Sequence, residues 1–485
     1  MESELTTTPL LLSAESTPAA VSVSLPVGTV FCLACSDIFA ILLSLTLATI
    51  IRNLCSNTAA ALHTSAAVPV VLLIFGSLMV SGLYPGVCVN PVEELRRSFF
   101  AITLAFTSLG ASTFFLHDMS QSRLVFLLGW MFGVALVPAF RGLARALFAG
   151  RSWWGCPVAI LGSGNTGKRL LQTLTSNPAI GLRPVAVLDD NPAQYRGVAD
   201  HLIVGPLSRC LELSRDHRIP YAIVCMPSLS RKQLLGLLDR YGHCFGHVMV
   251  IPDLIGMASL GLSVREVGGI IGLEVTHKLL QPSAQFVKRL LDLVITLALA
   301  PFVLAIVALA AALIRLGSPG PALLTNERVG FGGRKFKVWK LRSMVINGEE
   351  VLQEYFARHP EDIPHWNLTQ KLKNDPRVTP IGRIIRKTSI DELPQLWNVL
   401  VGDMSIVGPR PMLESQVPLY GAAFASYRRV RPGITGLWQI SGRNHLTFAE
   451  RARLDVYTIQ NWSVWLDIYI LARTISVVLT AKGAY

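Results

Sequence analysis

Val158-Ala-Ile-Leu-Gly-Ser-Gly-Asn-Thr-Gly167 is a short apolar run, then glycines at 162, 164 and 167, and it leads into the helix-forming Lys168-Arg-Leu-Leu171. An apolar run bounded by glycine predicts a buried strand, and G-x-G-x-x-G predicts a tight strand-to-helix turn. Further strand-like runs follow at Pro184–Leu188, His201–Val204, Tyr221–Cys225 and Val248–Ile251, with helical stretches between them. That alternation predicts a parallel, doubly wound α/β domain over 152–275. Gly162, Gly164 and Gly167 are candidate nucleotide-loop residues, with Asp189 or Asp190 placed to meet a ribose; the alternative is that the glycines serve only the turn. A P-loop reading fails because Arg169 stands where Ser or Thr would hold Mg²⁺. The domain also has no Tyr-x-x-x-Lys pair, which counts against a dehydratase or epimerase.

The flanks of this domain are apolar. The 485 residues are 51% hydrophobic and 15% charged, with a mean hydropathy of +0.46. This excludes a disordered chain and argues against a wholly soluble one. Residues 1–27 carry no Lys or Arg, so they predict a flexible segment and not a signal peptide. Apolar runs near 28–51, 67–85, 99–116 and 124–149 each approach the length of a membrane helix, which predicts a four-helix transmembrane domain over 28–151. Asp37 in the first run is a possible functional residue, although an interhelical hydrogen bond is its ordinary use. Arg52, Arg96, Arg97 and Arg123 flank the runs, and Arg141, Arg145 and Arg151 crowd the end of the last. By the positive-inside rule both ends of the unit are cytoplasmic.

The eight cysteines stop at Cys244 and form no disulfide framework. Cys32-x-x-Cys35 lies inside an apolar run and reads as packed thiols. His243, Cys244 and His247 have ligand-like spacing without a second cluster, so a zinc site is not favoured.

A fifth apolar run, Leu290–Ile314, follows Lys288-Arg289 and contains Asp292 and Pro301. Charge then changes character. Residues 1–150 hold six basic and seven acidic groups, whereas 315–485 hold 23 basic and 14 acidic. The basic half should meet an anionic partner: a membrane surface, a phosphate or nucleic acid. Its motifs are Phe336–Met344, Asp375–Thr379, Arg386-Lys-Thr-Ser-Ile-Asp-Glu-Leu-Pro-Gln395, Gly408-Pro-Arg-Pro411, Arg431–Gly436 and Gly442-Arg-Asn444. Ser389-Ile-Asp-Glu392 reads as a capping box opening a helix from Leu393 to Leu400. A helix N-terminus keeps a carboxylate ionised and attracts phosphate, so Asp391 can act as a nucleophile on phosphorus. Glu392, with Asp391, can hold a divalent cation. Arg386 and Arg410, the latter between two prolines, suit phosphate clamping, and Lys340 and Arg342 are further candidate phosphate ligands.

These motifs resemble the polyprenyl-phosphate hexose-1-phosphate transferases, bacterial sugar transferases that begin surface glycan assembly. Lys288-Arg289 with Asp292, Asp391-Glu392-Leu-Pro-Gln395 and Gly408-Pro-Arg-Pro411 carry the resemblance in the expected order, and Ile390 departs from a usual Leu. The resemblance implies transfer of hexose-1-phosphate from a UDP-hexose to undecaprenyl phosphate, with UMP released. It implies Asp391 as nucleophile, Glu392 as its partner, Mg²⁺ as cofactor, and Arg386 and Arg410 as phosphate ligands. Asp455 and Asp467 lie in a tail the family also uses.

The implied fold is a membrane α-helical bundle, a Rossmann-like α/β domain, and an α-rich monotopic phosphoglycosyl transferase domain over 276–485. Both flanks of the fifth run are basic, Lys288/Arg289 and Arg315, and UDP-sugars are cytoplasmic. Pro301 can break the helix, so a re-entrant helix over about 288–315 is expected, with a kinked spanning helix as the alternative. The expected setting is the bacterial inner membrane, with the α/β and catalytic domains cytoplasmic and a homodimer plausible. Galactose is preferred over glucose from overall resemblance, for O-antigen, capsule or exopolysaccharide synthesis. A nucleotide-sensing membrane scaffold is the reading from another class, and the intact dyad argues against it. Nucleic acid is not expected, because no aromatic-interleaved basic stripe is present.

Overall fold

The computed structural model describes residues 26–55, 64–115, 123–191, 202–216, 219–252, 262–267, 270–275, 278–363, 372, 375–442 and 446–479. Residues 1–25, Asp118, Arg443 and Asn444, and the side chain of His243 lie outside the described residues. Two compact units divide between Ile255 and Gly256. Residues 262–275 therefore fall with the second unit and not with the α/β domain.

The first unit opens with α1 (Val27–Cys55), α2 (Thr64–Val80), α3 (Pro91–Phe115) and α4 (Arg123–Phe148). Ala40, Ile41, Ile74, Leu78, Ile102, Phe106 and Val137 form their shared core. Gly129 and Gly133 of α4 let it approach its neighbours: a Cβ at Gly129 would stand 3.3 Å from Leu45, and one at Gly133 3.5 Å from Ile102. By length and apolarity α1 and α4 can cross a membrane, and α2 carries the shorter apolar stretch Val70–Val80. The helix α3 starts earlier than its apolar run, because the charged turn Glu93–Arg97 is already helical.

Asp37, Glu94 and Arg141 meet inside this bundle. Arg141 is wholly buried; its Nε and Nη2 donate to Asp37 at 2.8 and 2.6 Å, and its Nη1 donates to Glu94 at 3.1 Å. Arg145 also donates to Glu94, and the Tyr84 hydroxyl donates to Asp37. Asp37 thus has the ordinary interhelical role. Arg141, counted above as an interfacial cation, is an internal one, because desolvation without a carboxylate partner would be prohibitive.

The α/β domain holds a parallel sheet in the order β3-β2-β1-β4-β5: β1 Cys156–Leu161, β2 Leu182–Leu188, β3 Ile203–Gly205, β4 Tyr221–Val224 and β5 His247–Val250. Helices α5 (Asn165–Ser176), α6 (Cys210–Asp216) and α7 (Arg231–Tyr241) join its strands. Alternate residues feed two cores, Ala159 and Leu161 into one and Val158 and Ile160 into the other. Burial on both faces explains why the central strands β1, β2 and β4 read as unbroken apolar runs, whereas the edge strand β5 leaves Met249 and Val250 exposed.

The second unit begins with the hairpin β6 (Leu262–Val267) and β7 (Ile270–Val275), followed by α8 (Pro282–Gly317). The backbone of α8 stays helical past Pro301, so the helix does not end there as expected. Leu297, Phe302, Leu304 and Leu309 along its middle are exposed, and it is the third helix suited to a membrane. Both of its ends pack on the same unit. The Arg289 guanidinium donates to Val399 O and, at 2.8 Å, to Leu400 O, while Ala310 and Ile314 pack with Ile381 and Ile385. Next come the antiparallel pair β8 (Leu323–Val329) and β9 (Lys335–Leu341), then α9 (Gly348–Arg358), α10 (Pro380–Lys387) and α11 (Gln395–Val401). Parallel β10 (Ser405–Val407) and β11 (Gly433–Thr435), then α12 (Phe448–Gln460) and α13 (Val464–Leu479), complete the unit.

Candidate active site

The acidic pair sits on a short helical turn, Ile390–Glu392, between α10 and α11. Ser389 before it is left-handed, with φ 58° and ψ 20°, and its hydroxyl caps nothing. The capping box is therefore absent: a capping residue needs an extended backbone, and the reversal from α10 into the dyad takes that freedom away. A non-glycine residue at positive φ is costly and clusters at functional sites.

Glu392 faces a small, open cavity lined by Arg328, Val338, Lys340, Gln395, Arg410 and Ile434, among others. Lys340 Nζ donates to Glu392 Oε1 at 2.7 Å, and Arg410 Nη2 lies 3.8 Å from the same oxygen. Two local devices fix this geometry. Asn398 of α11 clips onto β9 as a strand would: its Oδ1 accepts from Trp339 N at 3.1 Å and its Nδ2 donates to Lys337 O at 2.7 Å. Arg410 projects from a turn held by Gly408, whose N–H donates to Thr435 O at 2.9 Å, and by Gly433, whose N–H donates to Pro409 O at 2.8 Å. A Cβ at Gly433 would stand 2.1 Å from Gly408 N, so only glycine permits this approach.

Burial pushes the Asp391 carboxyl up to about 6; the Glu392 charge adds to the rise, and Lys340 and Arg386 oppose it. The pair thus holds one strongly paired carboxylate and one that ionises close to neutrality, with cations around both.

Several predicted residues lie elsewhere. Arg342 is buried, and its guanidinium donates to Pro319 O and, at 2.7 Å, to Ser318 O. It caps the C-terminal end of α8 and is committed there, which corrects its reading as a phosphate ligand. Asp467 accepts from Lys288 Nζ at 2.7 Å and from Trp462 Nε1 at 3.2 Å. Asp292 accepts from Ile406 N at 3.1 Å, so the Lys288–Asp292 motif ties α8 to α13 and to the strand leading into Arg410. Asp455 lies buried on α12 and accepts from the Tyr420 hydroxyl. Gly162 has φ 106°, and a Cβ at Gly167 would stand 2.0 Å from Gly162 O. Asp189 Oδ2 accepts from Ser163 N at 2.7 Å, and Asp190 Oδ1 accepts from Leu207 N at 2.9 Å. The turn itself accounts for that fingerprint.

Sequence reasoning gave no role to Asn398 or Arg328, nor to Gln395, although that residue closes the Asp391–Gln395 motif. Asn398 is a polar residue on the buried face of α11, and that was the available signal. Among the described residues, no group of three or more His, Cys, Asp or Glu side chains could hold a metal by itself.

The bacterial sugar transferase family model matches residues 283–481, and a CoA-binding domain model matches 80–252. The chain is 38% identical over 400 residues to a UDP-galactose-lipid carrier transferase of Erwinia amylovora, covering 81% of this chain and 82% of that one. It is 35% identical over 371 residues to an undecaprenyl-phosphate galactose phosphotransferase of Salmonella typhimurium, covering 75% and 76%. It is 31% identical over 337 residues to a UDP-glucose:undecaprenyl-phosphate glucose-1-phosphate transferase of Escherichia coli, covering 68% of each.

Proposed function

As a member of the bacterial sugar transferase family, to which the chain belongs, this protein is a phosphoglycosyl transferase, and we propose that it moves galactose-1-phosphate from UDP-galactose to undecaprenyl phosphate for surface polysaccharide synthesis. The observation that carries this reading is the Asp391–Glu392 pair beside a cavity walled by Lys340 and Arg410. Galactose rests on the names of the two relatives that align over three quarters of the chain.

Two displacements make up the reaction. An Asp391 carboxylate oxygen attacks the phosphorus bearing the sugar, the P–O bond to UMP breaks, and UMP leaves with the electron pair. An oxygen of the lipid phosphate then attacks the same phosphorus and the Asp391 carboxylate departs. The elevated pKa suits this role: a more basic carboxylate is the better nucleophile, and close to neutrality much of it is still ionised. Lys340 and Arg410 neutralise charge that builds on the phosphoryl oxygens.

Asp391 and Glu392 are two adjacent carboxylates, which fits Mg²⁺: that ion is commonly bound by one or two carboxylates and completed by substrate phosphates and water. When bound there it would screen charge between the phosphates.

A re-entrant α8 is part of the reading. What supports it is that Arg289 near the start of the helix bonds to Val399 O and Leu400 O while Ile314 near its end packs with Ile385, so both ends meet the catalytic unit, and Pro301 between them is a place where a helix can bend. Such a bend leaves the exposed apolar middle to enter the bilayer and both ends at the cytoplasmic face, where UDP-sugars and the lipid phosphate meet.

The test is UMP release from a panel of UDP-hexoses by the full chain in lipid, with Mg²⁺ and undecaprenyl phosphate. Release from one sugar, lost in Asp391→Ala, supports the transferase and names the sugar. Release from none by folded wild type sinks it.

A further inference from the structure

The cavity beside Glu392 carries more positive charge than its carboxylate can balance. Arg328, Lys340 and Arg410 line it, and Glu392 is the acidic group among its lining residues. Lys340 is matched by Glu392 at 2.7 Å, while Arg410 stands back at 3.8 Å. The Arg328 guanidinium donates from Nη1 to Glu327 O at 2.9 Å and has no carboxylate within ion-pair distance among the described residues. Three cations thus share a wall whose one carboxylate is already bonded to Lys340 and only loosely paired with Arg410, and Arg328 is left for solvent or a ligand to balance.

Backbone geometry makes the arrangement durable. Val329, next to Arg328, donates its N–H to Met412 O at 3.0 Å, two residues beyond Arg410, and the Tyr427 hydroxyl donates to Val329 O at 2.7 Å. These bonds fix the end of β8 against the Gly408–Pro411 turn, so the two arginines are set side by side by main chain. The Arg328 guanidinium is accordingly held below its ordinary pKa, first by burial and then by the Arg410 charge. A second sign points the same way. Gln395 is only 3% exposed and lines the same cavity, so its carboxamide adds a polar group to the wall that carries the arginines.

We propose that Arg328 is a donor-binding residue, a second guanidinium that grips the diphosphate of the nucleotide-sugar alongside Arg410. One unmatched and one loosely matched guanidinium suit a nucleoside diphosphate better than a monophosphate, because each phosphate brings its own charge and its own pair of acceptor oxygens. The inference rests on the transferase reading for the identity of the ligand, although binding tests it without turnover.

The experiment measures UDP and UMP binding by calorimetry to the full chain in lipid nanodiscs, for wild type, Arg328→Met and Arg328→Lys. Steady-state kinetics use the UDP-hexose that wild type accepts. Arg328→Met should weaken UDP ~10- to 100-fold and UMP by less than about threefold, the span of one or two charge-assisted hydrogen bonds. Arg328→Lys should recover part of the loss. KM for the donor should rise by the UDP factor while kcat falls less. Should Arg328→Met fail to fold, as judged by its melting transition, Arg328→Gln is read the same way. UDP affinity within twofold of wild type in a folded variant overturns the proposal, as does a wild type that binds UMP as tightly as UDP. Wild type that binds UDP through Arg328 yet releases no UMP would overturn the transferase reading and leave the Arg328 site standing.

Discussion

The chain contains two clusters built from the same side chains, and they do opposite things. In the helical bundle Arg141 is enclosed by Asp37 and Glu94, with Arg145 and Tyr84 completing the bonding. In the second unit Lys340, Arg410 and Arg328 surround Glu392 at unequal distances, and an open cavity lies between them. The first cluster is saturated and buried, so it has nothing left to bind. The second has surplus charge, an accessible volume and a carboxyl poised close to neutrality. Ionisable residues alone are therefore a poor guide to function; unsatisfied ionisable residues next to empty space are a better one.

The contrast breaks most visibly at Asp391. Asp391→Ala should cut UMP release at least about a thousandfold, some 4 kcal/mol of barrier, while the melting temperature stays close to wild type. A variant that retains a tenth of the activity would show that the second cluster does not contain the nucleophile. Arg141→Met should do the reverse. It leaves Asp37 buried without its cation and should cost about 3–5 kcal/mol in detergent unfolding. The double variant Asp37→Asn/Arg141→Met should regain much of that, and additive losses would mean the cluster is not a closed pair.

Arg342 sharpens the comparison within one unit, because it looks like a site arginine but caps α8. Arg342→Ala should lower stability by about 1–3 kcal/mol with the donor KM unchanged. A raised KM with unaltered melting would return it to the substrate.

The smallest effect belongs to Asp455, whose carboxyl is pushed up to about 7 by burial, against the Tyr420 hydrogen bond and the Arg410 charge. Because the folded pKa exceeds the unfolded value of 3.8, the group's contribution is full below about pH 4 and is lost as pH rises through 7. Asp455→Asn keeps an acceptor for Tyr420 and removes that loss. Its melting temperature should gain on wild type as pH rises from about 4 to 7 and run parallel above that, and curves parallel throughout would assign Asp455 no titration in that window.

Much of this was legible in the chain. The five parallel strands fall where apolar runs predicted them, and the three central ones do so because they are buried on both faces. Arg410 stood out because glycine and proline announce special backbone at Gly408-Pro-Arg-Pro411, and Asp391-Glu392 because an acidic pair lies among arginines. Ser389 was misread, because S-x-x-E specifies a capping box only if the serine is extended, and the turn out of α10 makes it left-handed. Arg342 was misread because a single arginine gives no sign of whether it meets a ligand or a helix end. Arg328 lay at the end of a strand without any local signal.

By itself the sequence determined the local facts: which segments are apolar enough for a membrane or a sheet, where the backbone must turn, and which motifs carry acid beside base. Tertiary structure decided which charges are spent on one another and which are left over. That decision depends on distances between residues such as Arg141 and Asp37, or Arg328 and Arg410, which lie far apart along the chain. Coulomb energy and desolvation follow distance through space and not order along the chain, so no local pattern could assign them.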